Sequence, residues 1–98
     1  MSQVNIGKEV IDGFNAGNGT VGTTPQAIAN TYPVNKHVVV RATTGNSGTI
    51  KVGPTAGGAS SGFVLGAGET SPPIYVDDVA KVFVVGSGSG QNYSWISN

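Results

Sequence analysis

Asp77 and Asp78 stand side by side, and adjacent carboxylates can share a metal ion or a proton where a turn swings both to one side. In a strand they would point to opposite faces and share neither; because Asp also favours turns, the pair reads as turn residues. "GNGTVG" (Gly17 to Gly22) has the G-x-G-x-x-G spacing of a dinucleotide loop, in which glycines bring the backbone against a pyrophosphate at a helix start. Here Thr23, Thr24 and Pro25 follow instead of a helix, and no acid lies between Asp12 and Glu69 to hold a ribose hydroxyl. "GSGSG" (Gly86 to Gly90) lacks the Lys-Ser/Thr of a phosphate loop and reads as a hairpin turn between two strands. His37 is the single histidine, cysteine is absent, and no G-x-S-x-G elbow presents a serine. No catalytic, cofactor-binding or metal-binding residue is therefore expected, and no small-molecule substrate.

The rest of the composition narrows the partners. Five cations (Lys8, Lys36, Arg41, Lys51, Lys81) balance five anions and are scattered singly, which is no basic stripe for nucleic acid. The start "MSQVNIGKEV" has neither a basic beginning nor an apolar block, and no apolar run approaches the ~20 residues of a membrane helix. Neither Sec export nor membrane residence is expected, so the formal sequons at Asn18 and Asn92 carry no glycosylation expectation.

The elements that would position any site are short and extended. Sixteen glycines in 98 residues, with many Thr, Ser, Asn and Val, favour strands broken by turns. "KHVVVRAT" (Lys36 to Thr43) puts Val38, Val40 and Ala42 on one face, and "TIKVG" follows the turn "GNSG" with Ile50 and Val52 inward, so the two read as a hairpin. "GPTAGGASSG" (Gly53 to Gly62) reads as a flexible loop. "FVL" (Phe63 to Leu65), "PIYV" (Pro73 to Val76), "VAKVFVVG" (Val79 to Gly86) and "NYSWIS" (Asn92 to Ser97) supply four more strands, and "TVGTTPQAIA" holds one or two bent at Pro25; only "TPQAIANTY" hints at a helical turn. About seven short strands predict an all-β fold, a small antiparallel β-sandwich or barrel. It comprises residues 17–98 as a single β domain, preceded by an extended N-terminal arm of residues 1–16.

Two regions lack an obvious cover. The arm holds Val4, Ile6, Val10, Ile11 and Phe14 in an irregular pattern and ends in a Gly/Asn-rich hinge, so it either frays, adds as an edge strand or lies on a partner. Beyond Lys81, Phe83 and Val85 face one way while Val82 and Val84 face the other, and Tyr93 and Trp95 likewise oppose Ile96. Such doubly apolar strands are either central ones capped by the N-terminal segment or strands whose second face meets another subunit, where aromatic residues are enriched. Val4, Ile6, Val10, Ile11, Phe14, Phe83, Val85, Tyr93 and Trp95 are accordingly the candidate subunit or partner contacts.

The order "KHVVVRATTGNSGTIKVG", a Gly/Ser-rich loop, then "GFVLGAGETSPPIYVDDVAKVFVVGSGSGQNYSWI" resembles a type of small β-rich virion protein of tailed bacteriophages, the capsid decoration or cement proteins. The resemblance covers about residues 34–97 and is carried by β-formers and turns; residues 1–15 match no part of it. It implies a structural, non-enzymatic protein on the outside of the head, often a homotrimer, made in the host cytoplasm and bridging capsomers of the major capsid protein. The alternative from another class is a receptor- or glycan-binding module of a head fibre or tail tip, with Tyr32, Tyr75, Tyr93 and Trp95 stacking on sugar rings.

Overall fold

The structure, a computed structural model, describes residues 14–98. Its strands are β1 (Asn15–Val21), β2 (Gln26–Ala27), β3 (Val38–Ala42), β4 (Ile50–Gly53), β5 (Phe63–Leu65), β6 (Phe83–Gly86) and β7 (Gln91–Ser97). They form two antiparallel sheets, ordered β1-β7-β3 and β2-β6-β4-β5. Alternation decides which side chains lie between them: Val38, Val40, Ala42, Tyr93 and Trp95 from the first sheet meet Ile50, Val52, Leu65 and Val84 from the second in one buried cluster, joined by Val82 just before β6. The all-β expectation holds, as a small two-sheet sandwich.

The predicted hairpins are crossings between the sheets. β3 pairs with β7 and β4 with β6, so Thr43–Thr49 carries the chain from one sheet to the other instead of folding it back. Side-chain bonds fix that route. Asn46 donates from Nδ2 to the Asn92 carbonyl at 2.8 Å and accepts the Asn92 N–H at 2.7 Å. "GSGSG" makes the same kind of crossing from β6 to β7. Gln91, buried at the start of β7, ties the two crossings together: its Oε1 accepts from Gly48 N–H at 2.8 Å, and its Nε2 donates to Ser47 Oγ and to the Ser89 carbonyl. A buried amide with both ends partnered locks the loops without the desolvation cost of an unmade bond.

Four local expectations change. Pro73 to Val76 is no regular strand, because Pro72 and Pro73 have no N–H to give; the segment instead touches the free edge of β3 through single bridges at Ile74 and Thr70. Val79–Lys81 forms a 3-10 turn, so the strand starts only at Phe83. The supposed flexible loop contains a helical turn, α1 (Ala56–Ala59), whose N-cap Thr55 accepts from Gly58 N–H at 2.8 Å. The helical hint in "TPQAIANTY" becomes β2 and bends.

The Gly/Asn-rich stretch taken as a hinge is strand β1, paired along its length with β7 from Asn15↔Ser97 to Val21↔Gln91. Its glycines have a packing reason. A Cβ on Gly17 would stand 2.8 Å from the Trp95 ring, and one on Gly19 2.5 Å from Tyr93 Oη. Each glycine thus lets the aromatic ring of the opposite residue lie flat across β1. A strand glycine costs roughly 0.5–1 kcal/mol, while burying ~150–250 Å² of aromatic surface at ~25 cal/mol per Å² contributes several-fold more, so the exchange favours folding.

Candidate contact surface

The nine residues expected to meet partners fall in four places. Val4, Ile6, Val10 and Ile11 lie outside the described residues. Phe14 is exposed just before β1. Tyr93 and Trp95 are corrected to core residues, 2% and 8% exposed, because the glycines of β1 make room for them. Tyr93 Oη also donates to the Ile28 carbonyl at 2.8 Å, a bond that only an inward ring makes.

Val85 needs no second subunit either. The outer face of β6 is covered by α1, which packs on β4 and β6; Gly53 makes this possible, since a Cβ there would stand 2.6 Å from the Gly58 carbonyl oxygen. Val85 is consequently buried at 8% exposure, and Phe83 is half-buried on the same face. The cover found on the outer face of the doubly apolar strand is the chain's own residues 54–62, which neither reading of the sequence named. Of the four strand residues expected at a subunit contact, Val85, Tyr93 and Trp95 are buried within the chain, while Phe83 keeps part of its surface outward.

Apolar exposure is concentrated instead on β5, whose sequence "GFVLG" was read only as a strand. Phe63 and Val64 are 53% and 49% exposed, while Leu65 is buried. β5 pairs with β4 in regular register, Ile50↔Leu65, Lys51↔Val64 and Val52↔Phe63, and among the described residues no backbone pairing covers its other side. Beside it, on the inner side, a cleft of about 270 Å³ opens between the sheet edge and the Pro72–Val76 segment. Phe63, Val52, Ile74, Val76 and Val82 line it, with Lys81 at the rim. Such a wall offers shape and apolar area and almost nothing to orient a polar substrate.

The polar candidates are engaged in structure. Asp78 caps the 3-10 turn, accepting from Ala80 N–H at 2.9 Å and from Tyr32 N–H at 3.0 Å. Asp77 pairs with Lys81 at 2.7 Å, both side chains more than 60% exposed. The hydrogen bond and charge of Asp77 hold the Lys81 ammonium above its ordinary pKa of 10.5. A raised pKa contributes stability that is present below the ordinary value and lost as pH rises through the folded one, so this pair contributes at neutral pH and loses its effect only in alkali; at such exposure it counts for little. The two aspartates thus serve different partners, one capping the 3-10 turn and the other pairing with Lys81. The ring of His37 meets that of Tyr75 edge-on at 5.8 Å. Among the described residues no three His, Asp or Glu side chains gather as a metal site, and no helix is long and apolar enough to cross a membrane.

Compared with protein-family models, with curated protein sequences and with solved structures, the chain matches none.

Proposed function

We propose that this chain is a structural virion protein that decorates the outside of a bacteriophage capsid and bridges its capsomers. Two things support it: the resemblance over residues 34–97, and the apolar surface formed by exposed Phe63 and the adjoining cleft. The second carries the weight. Exposed apolar side chains beside a concave apolar wall are what a protein contact uses, and the surrounding polar groups are engaged in holding loops. In this reading the chain has no catalytic group, cofactor, nucleic-acid partner or membrane partner; its partner is the major capsid protein, and it resides on the capsid surface after synthesis in the host cytoplasm. Many copies, each binding only the assembled shell, oppose its disassembly by mass action even when single contacts are weak.

Co-sedimentation with empty capsids of the accompanying major capsid protein tests this. The chain should bind, Phe63→Ser should reduce binding about tenfold or more, and a tenfold rise in salt should weaken it less than about tenfold, since zero net charge leaves little electrostatic attraction to screen. Binding that falls steeply with salt, or that ignores Phe63, overturns the proposal.

The glycan-module alternative keeps two of its four aromatics. Tyr75 is 76% exposed and Tyr32 37%, whereas Tyr93 and Trp95 are unavailable for stacking. Glycan-array binding lost in Tyr75→Ala would favour it.

A further inference from the structure

Sheet edges are templates for pairing, and proteins normally guard them with charge, proline, bulges or covering segments. Three of the four edges here are guarded or weak. The free side of β3 is occupied by residues 68–74, with Val38 and Ile74 exchanging backbone bonds of 2.8 Å in both directions and Ala42 N–H bonding the Glu69 carbonyl at 2.9 Å. β2 is two residues long and follows Pro25. β1 turns Ala16, Asn18 and Thr20 outward, small or polar residues with little to bury. β5 is also short, but among the described residues it has no charge, proline, bulge or covering segment. Its three residues are Phe63, Val64 and Leu65, its register is regular, and its exposed positions are apolar.

We propose that β5 is a self-pairing edge: two copies of this chain join antiparallel through Phe63–Leu65 about a two-fold axis at Val64, fusing their four-stranded sheets into one. The occupant is a second copy because the strand complements itself. In this register Phe63 faces the partner's Leu65, Val64 faces the partner's Val64, and every cross-strand pair is apolar. The nearest cation is Lys51, which sits opposite Val64 on β4 and donates from Nζ to the Ser60 carbonyl at 3.2 Å. The two Lys51 side chains would be three strand spacings apart, about 14 Å, beyond the ~8 Å screening length of physiological salt. A three-residue ladder buries less than the ~1,200 Å² of a standard interface, so the dimer is a weak one that forms as concentration rises. A three-fold arrangement cannot make this contact, because a strand pairs antiparallel with its own copy only about a two-fold axis.

The absence of cysteine from the sequence gives a direct test. Directly opposed residues of an antiparallel pair have Cα atoms ~4.5–5.5 Å apart, inside the ~4.4–6.8 Å range of disulfides. Full-length Val64→Cys under mild oxidation should therefore form covalent dimers about tenfold or more faster than Ile96→Cys, whose site is similarly exposed at 43% but lies on the middle strand of the other sheet. Sedimentation of the unmodified chain should show a monomer–dimer equilibrium, and Val64→Lys should shift it to monomer by about tenfold or more. Equal oxidation rates at the two sites, a trimer, or a monomer at every concentration overturns the pairing. Should Val64→Lys fail to fold, the cysteine comparison still decides. Val64 lies on the face of the sheet away from the Phe63 cleft, so the pairing and the capsid proposal are tested through different side chains and can fail separately.

Discussion

β1 and β5 are both outer strands of the sandwich, and they treat apolar surface in opposite ways. β1 is long, seven residues, and nearly featureless outward; its glycines face inward and receive the rings of Trp95 and Tyr93 from β7. β5 has three residues, sits between Gly62 and Gly66, and turns Phe63 and Val64 toward solvent. One edge therefore holds the fold together by accepting side chains from its neighbour, and the other leaves side chains over. Aromatic content alone does not mark a contact surface; what lies on the facing strand decides whether a ring is core or interface.

The sharpest test of the β1 side removes a ring. Trp95→Ala should lower stability by about 3–5 kcal/mol, because the cavity it leaves is floored by a glycine with no side chain to collapse into it. Urea unfolding would measure this, and a loss below about 1 kcal/mol would mean that Trp95 is not core and would return it to the partner surface. Next in size is the reciprocal change. Gly17→Ala relieves some chain entropy yet puts a Cβ 2.8 Å from the indole, so overpacking should win by about 1–3 kcal/mol. A stabilised variant would show that β1 does not sit under Trp95 in solution. Tyr93→Phe should cost about 1–2 kcal/mol, since it keeps the ring but strands the buried bond to the Ile28 carbonyl.

Much of the fold was legible in local alternation. Val38, Val40 and Ala42, then Ile50 and Val52, fell on the inner faces expected of them. Sheet membership was not, because the turn "GNSG" is compatible with a hairpin until Asn46 meets Asn92, 46 positions away in the sequence. The burial of Trp95 was equally hidden, as it depends on a glycine that comes 78 residues earlier and was read as part of a hinge and a nucleotide-loop pattern. α1 carries no helical pattern in "AGGA"; its cap at Thr55 and its seat on Gly53 make it. For the contact surface, "GFVLG" announces a strand but not that its second side is left unpaired. That follows only from the order β2-β6-β4-β5, which places it last.

The smallest expected effect concerns charge at the β5 edge, and it separates stability from association. Val64 stands directly opposite Lys51 on the outer face of β4 and is half exposed, so replacing it should leave the core untouched and cost little. A carboxylate there would meet the lysine as an opposite charge, while a second lysine would face it as a like charge, and cross-strand pairs of this kind are worth roughly 0.2–1 kcal/mol each way. Val64→Glu should therefore be more stable than Val64→Lys by several tenths of a kcal/mol in low salt, and the gap should shrink as salt screens it. It should also close in acid, as the introduced carboxyl takes up its proton. Both variants should nevertheless be monomeric, because either one places two like charges across the proposed two-fold axis. If the glutamate variant instead dimerised as well as the unmodified chain, Val64 would not lie on that axis, and the exposed apolar pair on β5 would have to face something other than itself.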